Sequence, residues 1–462
     1  MGKATAYLAF DLGASSGRAM LGWIEPGGPW RLEELHRFPN GPLMADGGCF
    51  WDIHALFEHV RHSLELAGRC GAAIRSVGID TWGVDFALLD GDGQLLERPR
   101  CYREARNAGL SRRVAERIGP ERLQTRTGSM FQDHASLCQL LAARLHTPRL
   151  LERARRLLFI PDLLRHWLCG GPAGAVTADV TFASTSQMYD VPRREWAVDI
   201  LRELDLPHEI LPRVQVGAAL VGRLSAEIGR QTGLGELPVV AGAGHDTGAA
   251  FGICRSPSLP PPEDLVVISS GTWAILGIFV DAQLPPGSLD PRLFGYEANP
   301  DGSLRIVRNL TGGWLIEQCR RLWSARGLDI AYGSLIAAAR ASAGRAEASA
   351  IIDAQSEGFI NPPDMPAAIA DYCRSTGQQP PRTVGDFTQV IFASLADSYA
   401  RSIQTLREKT GRRLSKLYMI GGMARNEYLN ELTAARAGVD VLVGPAEATT
   451  LGNLAVQLAA GA

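Results

Sequence analysis

The stretch Phe10-Asp11-Leu12-Gly13-Ala14-Ser15-Ser16-Gly17-Arg18 decides how the rest of this sequence is read. Just before the acid, Tyr7-Leu8-Ala9-Phe10 is an apolar run that predicts a strand. After the turn, Ala19-Met20-Leu21-Gly22-Trp23-Ile24 predicts another. Between them lie an acid, two serines and two glycines. Glycine permits positive φ and a close approach of backbone to a ligand. Successive N–H groups at such a turn form a concavity that suits an anion. On this reading the turn is a phosphate cradle, with Asp11 as a metal-side acid beside it. The plainer reading is a β-hairpin turn, because Gly and Ser are ordinary turn residues.

A length of 462 residues predicts two or three domains. Hydrophobic residues make up 46% and charged residues 21%, the balance of a soluble globular chain. The formal net charge of −2 gives no global field favouring nucleic acid or an anionic membrane. No basic, apolar and cleavable leader pattern is visible at the N-terminus. The longest uncharged apolar stretch, Leu265 to Val280, is interrupted by Ser269-Ser270-Gly271-Thr272 and is too short to span a bilayer. The expected location is the cytoplasm. Eight scattered cysteines form no CxxC pair and have no histidine at zinc-ligand spacing, so they read as thiols in a reducing compartment.

Strand-like and helix-like segments alternate, which predicts an α/β protein. Trp30–Phe38 predicts a strand, and Ile53–Cys70 predicts a helix with Ile53, Leu56, Phe57, Val60, Leu64 and Leu66 largely on one face. Ser76–Asp80 and Val84–Leu89 read as strands around a Thr81-Trp82-Gly83 turn, and residues from about 105 to 170 as mostly helix. Ser256–Pro262 is a proline-rich connector that cannot be regular structure. Beyond it, Leu265–Ser270, then Gly271-Thr272, then Trp273–Val280 repeats the opening strand–turn–strand. Two such hairpins facing a cleft could grip a triphosphate. Asp386–Thr410 predicts a long helix ending at Gly411, and Lys416–Ile420 a strand opening onto Gly421-Gly422-Met423.

No Gly-Lys-Ser or Gly-Lys-Thr occurs, so an ATP enzyme here would use hairpin turns in place of a P-loop. Phosphoryl transfer to a hydroxyl needs a divalent cation, donors for the phosphate charge, and an acid to take the hydroxyl proton. Asp11 suits the metal side, since Mg2+ takes only one or two carboxylates. In Gly242-Ala243-Gly244-His245-Asp246-Thr247-Gly248, Asp246 suits the base, with small neighbours that let a substrate approach. Its alternative role is a helix N-cap. His245 reads as a hydroxyl contact in preference to a proton carrier.

With these residues in view, the chain resembles the FGGY family of carbohydrate kinases over nearly its whole length. The general motifs are Asp11 to Arg18, Gly244-His245-Asp246-Thr247, Ser270-Gly271-Thr272-Trp273 and Gly421-Gly422. More specific ones are Gly78 to Phe86, Phe359-Ile360-Asn361-Pro362 and Gly444 to Asn453. The resemblance implies a two-domain, actin-like ATPase (ribonuclease H-like) fold with a central inter-domain cleft. It implies an N-terminal kinase domain over 1–252, for sugar and phosphate, and a C-terminal one over 253–462, for nucleotide. It further implies that Ala14, Ser15, Ser16, Gly17, Arg18 and Thr272 touch the ATP phosphates, and that Gly422 and Glu317 touch the nucleotide. Gly83, His245, Asp246, Thr247 and Asn309 would contact the sugar, with Asp246 as base and Asp11 on Mg2+.

The implied activity is ATP-dependent phosphorylation of a ketose, with L-rhamnulose at O1 the expected acceptor. The implied partner is that small sugar, with neither nucleic acid nor membrane, on a monomer or homodimer. Other acceptors in view are L-fuculose, xylulose and glycerol. A chaperone-type or cytoskeletal ATPase, or an inactive sugar-binding paralogue, is the alternative of a different class. Three departures from the family pattern stand out. Tyr296-Glu297-Ala298-Asn299-Pro300 lacks an expected Asn-Glu-Gly-Gly, Met423 replaces a third glycine, and the chain ends soon after Leu451-Gly452-Asn453, where a change in closing or packing of the second domain is expected. Separately, Glu317 stands where Gln is usual, and an acid there would repel ATP.

Overall fold

The computed structural model describes residues 5–24, 30–171, 177–328 and 331–461. Contacts divide the chain into two compact units. One takes Met1–Arg255, Val280–Ile306 and Ala448–Ala462, and the other takes Ser256–Phe279 and Val307–Glu447. Two segments late in the sequence therefore cluster with the N-terminal unit.

In the first unit a six-stranded sheet runs in the order Ala219–Arg223, Pro238–Ala241, Ala73–Thr81, Thr5–Leu12, Ser16–Ile24, Trp30–Pro39. The strand Thr5–Leu12 pairs antiparallel with Ser16–Ile24 and parallel with Ala73–Thr81. It is central and covered on both faces, which is why its sequence is a near-continuous apolar run. Helix Ile53–Arg69 buries Ile53, Leu56, Val60, Leu64 and Ala67 against the sheet's core, with Asp52 capping the Ala55 N–H. The region expected to be mostly helical also holds a short strand, Arg156–Phe159. It pairs antiparallel with Phe86–Leu89, which draws that segment away from the main sheet.

The second unit repeats the pairing. Leu265–Ser270 pairs antiparallel with Trp273–Val280 and parallel with Lys416–Ile420, which pairs parallel with Asp440–Val443. Each central strand thus has its hairpin partner on one side and a parallel crossover strand on the other. The helix before the crossover strand, Val384–Thr410, opens with a Thr383/Asp386 capping box and stops at Gly411 in the left-handed conformation.

The last helix, Ala448–Ala459, belongs to the first unit. Its Leu454 packs with Tyr7 and Ala9. Its Gly452 crosses helix Asp246–Gly252 so closely that a Cβ there would lie 1.9 Å from the Ala249 carbonyl oxygen. Alanine at this position would gain about 1 kcal/mol of helix propensity. The overlap is with backbone, however, and overpacking of that kind costs about 1–3 kcal/mol or more. Gly452→Ala is therefore expected to lower the urea midpoint of unfolding, and a raised midpoint would show that the two helices separate freely.

Candidate active site

The loops at one end of the first sheet gather most of the sequence-derived residues. At the opening turn the Gly13 N–H bonds the Ser16 carbonyl at 2.9 Å, and Asn40 ties in with its side chain on the Gly13 carbonyl at 2.8 Å. Neither Gly13 nor Gly17 uses positive φ, contrary to one expectation above. Gly17 supplies room instead, because a Cβ would sit 2.2 Å from the Phe38 ring. Arg18 pairs with Asp11 in the strand register, and its guanidinium meets the Asp11 carboxylate at 2.5 Å.

Asp11 also lies beside Asp80 in the parallel register. Asp80 is fully buried, with one oxygen accepting the Asn453 amide at 2.7 Å. The other, Oδ1, has no partner among the described residues. Burial, then the charges of Asp11 and Asp246, push its carboxyl well above the usual range. The Asn453 side chain is held by Gln457 at 2.8 Å, and Gln457 in turn accepts from Ser76 and donates to the Leu8 carbonyl. Thr450 stands 3.4 Å from Asp11. One face of the last helix therefore serves the acids. Among the described residues no group of three or more His, Cys, Asp or Glu side chains is arranged to hold a metal ion. A site of one or two carboxylates, such as Mg2+ takes, falls outside that description.

Gly83, His245, Asp246 and Thr247 come together. A Cβ on Gly83 would lie 2.9 Å from His245 Nε2, and that nitrogen is 3.3 Å from Asp246 Oδ1. The N-cap of helix Asp246–Gly252 is His245, and Asp246 is its first residue, so the expected Asp cap is displaced by one position. Asp246 Oδ1 accepts the Thr247 N–H at 2.5 Å and the Thr247 hydroxyl at 3.1 Å. Its Oδ2 takes no hydrogen bond from the described residues, and the side chain is 32% exposed.

Asp85, quoted above only as part of a motif, fixes the Gly83 loop. Its carboxylate accepts the Trp51 indole at 2.6 Å, the Trp82 indole at 2.9 Å, the Gln139 amide at 2.9 Å and the Tyr102 N–H at 3.3 Å. Burial outweighs these donors and pushes its pKa up to about 6. Val84 is β-branched yet has a φ of 70°, a conformation costing about 1–3 kcal/mol. The Ser136 hydroxyl holds its carbonyl at 2.5 Å.

In the second unit Thr272 sits at the exposed turn of the hairpin, where its carbonyl accepts the Trp314 N–H at 3.1 Å. Gly421 takes positive φ and abuts Ser270, and Gly422 faces open space. Glu317 does not stand as a bare negative charge. Arg320 donates to it at 2.7 Å and the Tyr332 hydroxyl at 2.7 Å, while Arg320 covers the Tyr332 ring. Met423 lies 3.7 Å from the Tyr332 hydroxyl. Asn309 is half-buried on the strand Leu304–Thr311.

Residues 6–252 match the model for the N-terminal domain of the FGGY family of carbohydrate kinases, and residues 266–461 that for its C-terminal domain. A rhamnulokinase of Bacteroides thetaiotaomicron is 37% identical over 451 residues, 98% of this chain and 90% of that protein. A rhamnulokinase of Halalkalibacterium halodurans is 32% identical over 450 residues, 97% of this chain and 92% of that protein. Xylulose kinase from Rhodospirillum rubrum superposes with a TM-score of 0.75 at 15% identity, covering 99% of this chain and 91% of that one. Plasmodium falciparum glycerol kinase with ADP superposes with a TM-score of 0.76 at 14% identity, covering 99% and 89%. The structural likenesses establish the fold.

The Asp85 clamp has a direct test. Asp85→Ala strips the acceptor from two buried indoles, each unsatisfied donor costing about 1–3 kcal/mol. We expect a loss of about 3 kcal/mol or more in urea unfolding, with altered indole emission before the transition. An unchanged midpoint would show that the clamp is dispensable.

Proposed function

The chain belongs to the FGGY family of carbohydrate kinases, with its two-domain actin-like ATPase fold, and from this we propose that it transfers the ATP γ-phosphoryl group to O1 of L-rhamnulose. Rhamnulokinase relatives at 32% and 37% identity over nearly the whole chain support the choice of sugar. The observation that carries the chemistry is the Asp246 carboxylate. Thr247 loads its Oδ1 while Oδ2 stays without a partner among the described residues, beside His245 and the bare backbone of Gly83.

Asp246 is assigned as the base. It takes the O1 proton as the new O1–phosphorus bond forms, and the bond from the γ-phosphorus to the ADP oxygen breaks. Gly83, His245, Thr247 and Asn309 are assigned to the sugar. Gly83 suits close approach because it adds no side chain next to the His245 ring. Ala14, Ser15, Ser16, Gly17, Arg18 and Thr272 are assigned to the phosphates, and Gly422 and Glu317 to the nucleotide. The Arg320 and Tyr332 donors on Glu317 offset the repulsion a lone carboxylate would exert on ATP.

The chemistry of the donor set fits Mg2+. Asp11 offers hard oxygen atoms, and the neighbouring Asp80 Oδ1 is a buried oxygen in want of a partner. Bound there, Mg2+ would neutralise charge on the phosphate oxygens. Among the described residues no helix is long and apolar enough to cross a membrane, and we propose a cytoplasmic enzyme acting on a small sugar, as a monomer or homodimer.

Two measurements test this reading. Asp246→Asn is expected to lower kcat by roughly 10²-fold or more while calorimetric sugar binding survives. A variant turning over near the wild-type rate would remove Asp246 from the role of base. ADP release measured across L-rhamnulose, L-fuculose, xylulose and glycerol is expected to be fastest with L-rhamnulose by kcat/KM. A response equal for all four would sink the assignment of the sugar.

A further inference from the structure

Beneath the loop that carries Asp246 lies a second carboxylate that the reaction does not touch. Asp179 ends the strand Thr177–Asp179 and is fully buried. Its Oδ2 accepts the N–H of Gly242 at 2.7 Å and of Gly244 at 3.1 Å. Its Oδ1 accepts the N–H of Thr181 at 2.9 Å and the Thr181 hydroxyl at 2.6 Å. The same Thr181 hydroxyl oxygen accepts the N–H of His245 at 3.1 Å. Three loop N–H groups immediately before Asp246 therefore end, directly or through one hydroxyl, on a single side chain.

The loop has no slack elsewhere. The Gly244 carbonyl accepts the Thr81 N–H at 2.8 Å, which ties it to the strand bearing Asp80. A Cβ on Gly244 would lie 2.7 Å from Arg165 Nη2, and one on Gly248 would lie 2.8 Å from the Thr181 Cβ. Arg165 is buried too. It bonds Asp162 at 2.9 Å and the Ile79 carbonyl at 3.1 Å, and stands 4.0 Å from Asp179. A carboxylate serving only as a cap would need the Thr181 N–H alone. This one also sets the path of Gly242–His245.

We infer that Asp179 and Thr181 are positioning residues for the base, acting through the Gly242–His245 backbone to hold the Asp246 carboxylate where the sugar hydroxyl arrives. This rests on the reading of Asp246 as the base. A displacement near 1 Å at a reacting group lowers the rate far more than it lowers binding.

The test compares Thr181→Val, Thr181→Ser and Asp246→Asn in the full chain. ADP release with L-rhamnulose is normalised to the folded fraction seen by circular dichroism, so lost protein does not register as lost rate. Thr181→Val keeps the shape and removes the hydroxyl. It is expected to lower kcat by roughly 10- to 100-fold with the sugar KM within about threefold of wild type, while Thr181→Ser stays within about threefold in both. A Thr181→Val variant with wild-type kcat, or a Thr181→Ser variant impaired as severely as Thr181→Val, overturns the proposal while an inactive Asp246→Asn leaves the base in place. An Asp246→Asn variant with wild-type kcat overturns both.

Discussion

Three carboxylates of the first unit, Asp11, Asp80 and Asp246, lie close enough for the charges of two of them to raise the third. Like charges in a low-dielectric setting repel strongly, and much of the surrounding architecture answers that repulsion. Arg18 lies across the hairpin from Asp11, where the strand register puts it. Asn453 reaches Asp80 from a helix 373 residues away in sequence. Thr247 spreads two donors over one Asp246 oxygen.

The loops that carry these acids are held by buried acceptors and not by apolar packing alone. Asp85 gathers two indoles, an amide and a backbone N–H under the Gly83 turn, and so retains Val84 in a conformation that it would otherwise leave. Asp179 does the equivalent under Gly242–His245. Each carboxylate meets only donors, which is the arrangement in which an acceptor-only group is best satisfied. In the second unit the same logic runs through Glu317, whose charge is shared with Arg320 and Tyr332. Burial, and then Glu317 itself, raise the Tyr332 phenol, which keeps it a donor.

Much of the candidate site was legible because its signals are local. The two hairpins stand out as apolar runs broken by Gly and Ser, and the observed strands Leu265–Ser270 and Trp273–Val280 have the expected bounds. The long helix ends at Gly411 as its turn chemistry requires. Gly83 and His245, both quoted from short motifs, lie side by side. Asp179 gave little signal, since an acid ahead of a short Val-Thr-Phe-Ala helix looks like any N-cap. At Glu317 the sequence shows a bare acid, and the structure adds its donors Arg320 and Tyr332. Arg320 was one helical turn away and readable at i+3 spacing, but Tyr332 comes from the next helix.

By itself, then, the sequence determined the alternation of strands and helices, the two Gly- and Ser-rich hairpin turns and the identity of the acid at the head of Asp246–Gly252. Side-chain period and turn chemistry reach only a few residues along the chain, and that is far enough for these features. Only the tertiary structure decided that the last helix docks on the first unit's sheet and brings Asn453 to Asp80. It also decided that Asp179 and Thr181 underlie Gly242–His245, and that Gly17 is required for room and not for φ. Those outcomes depend on which strands lie side by side. Strand order is set by burial of whole faces across hundreds of residues, and no local window of sequence records it.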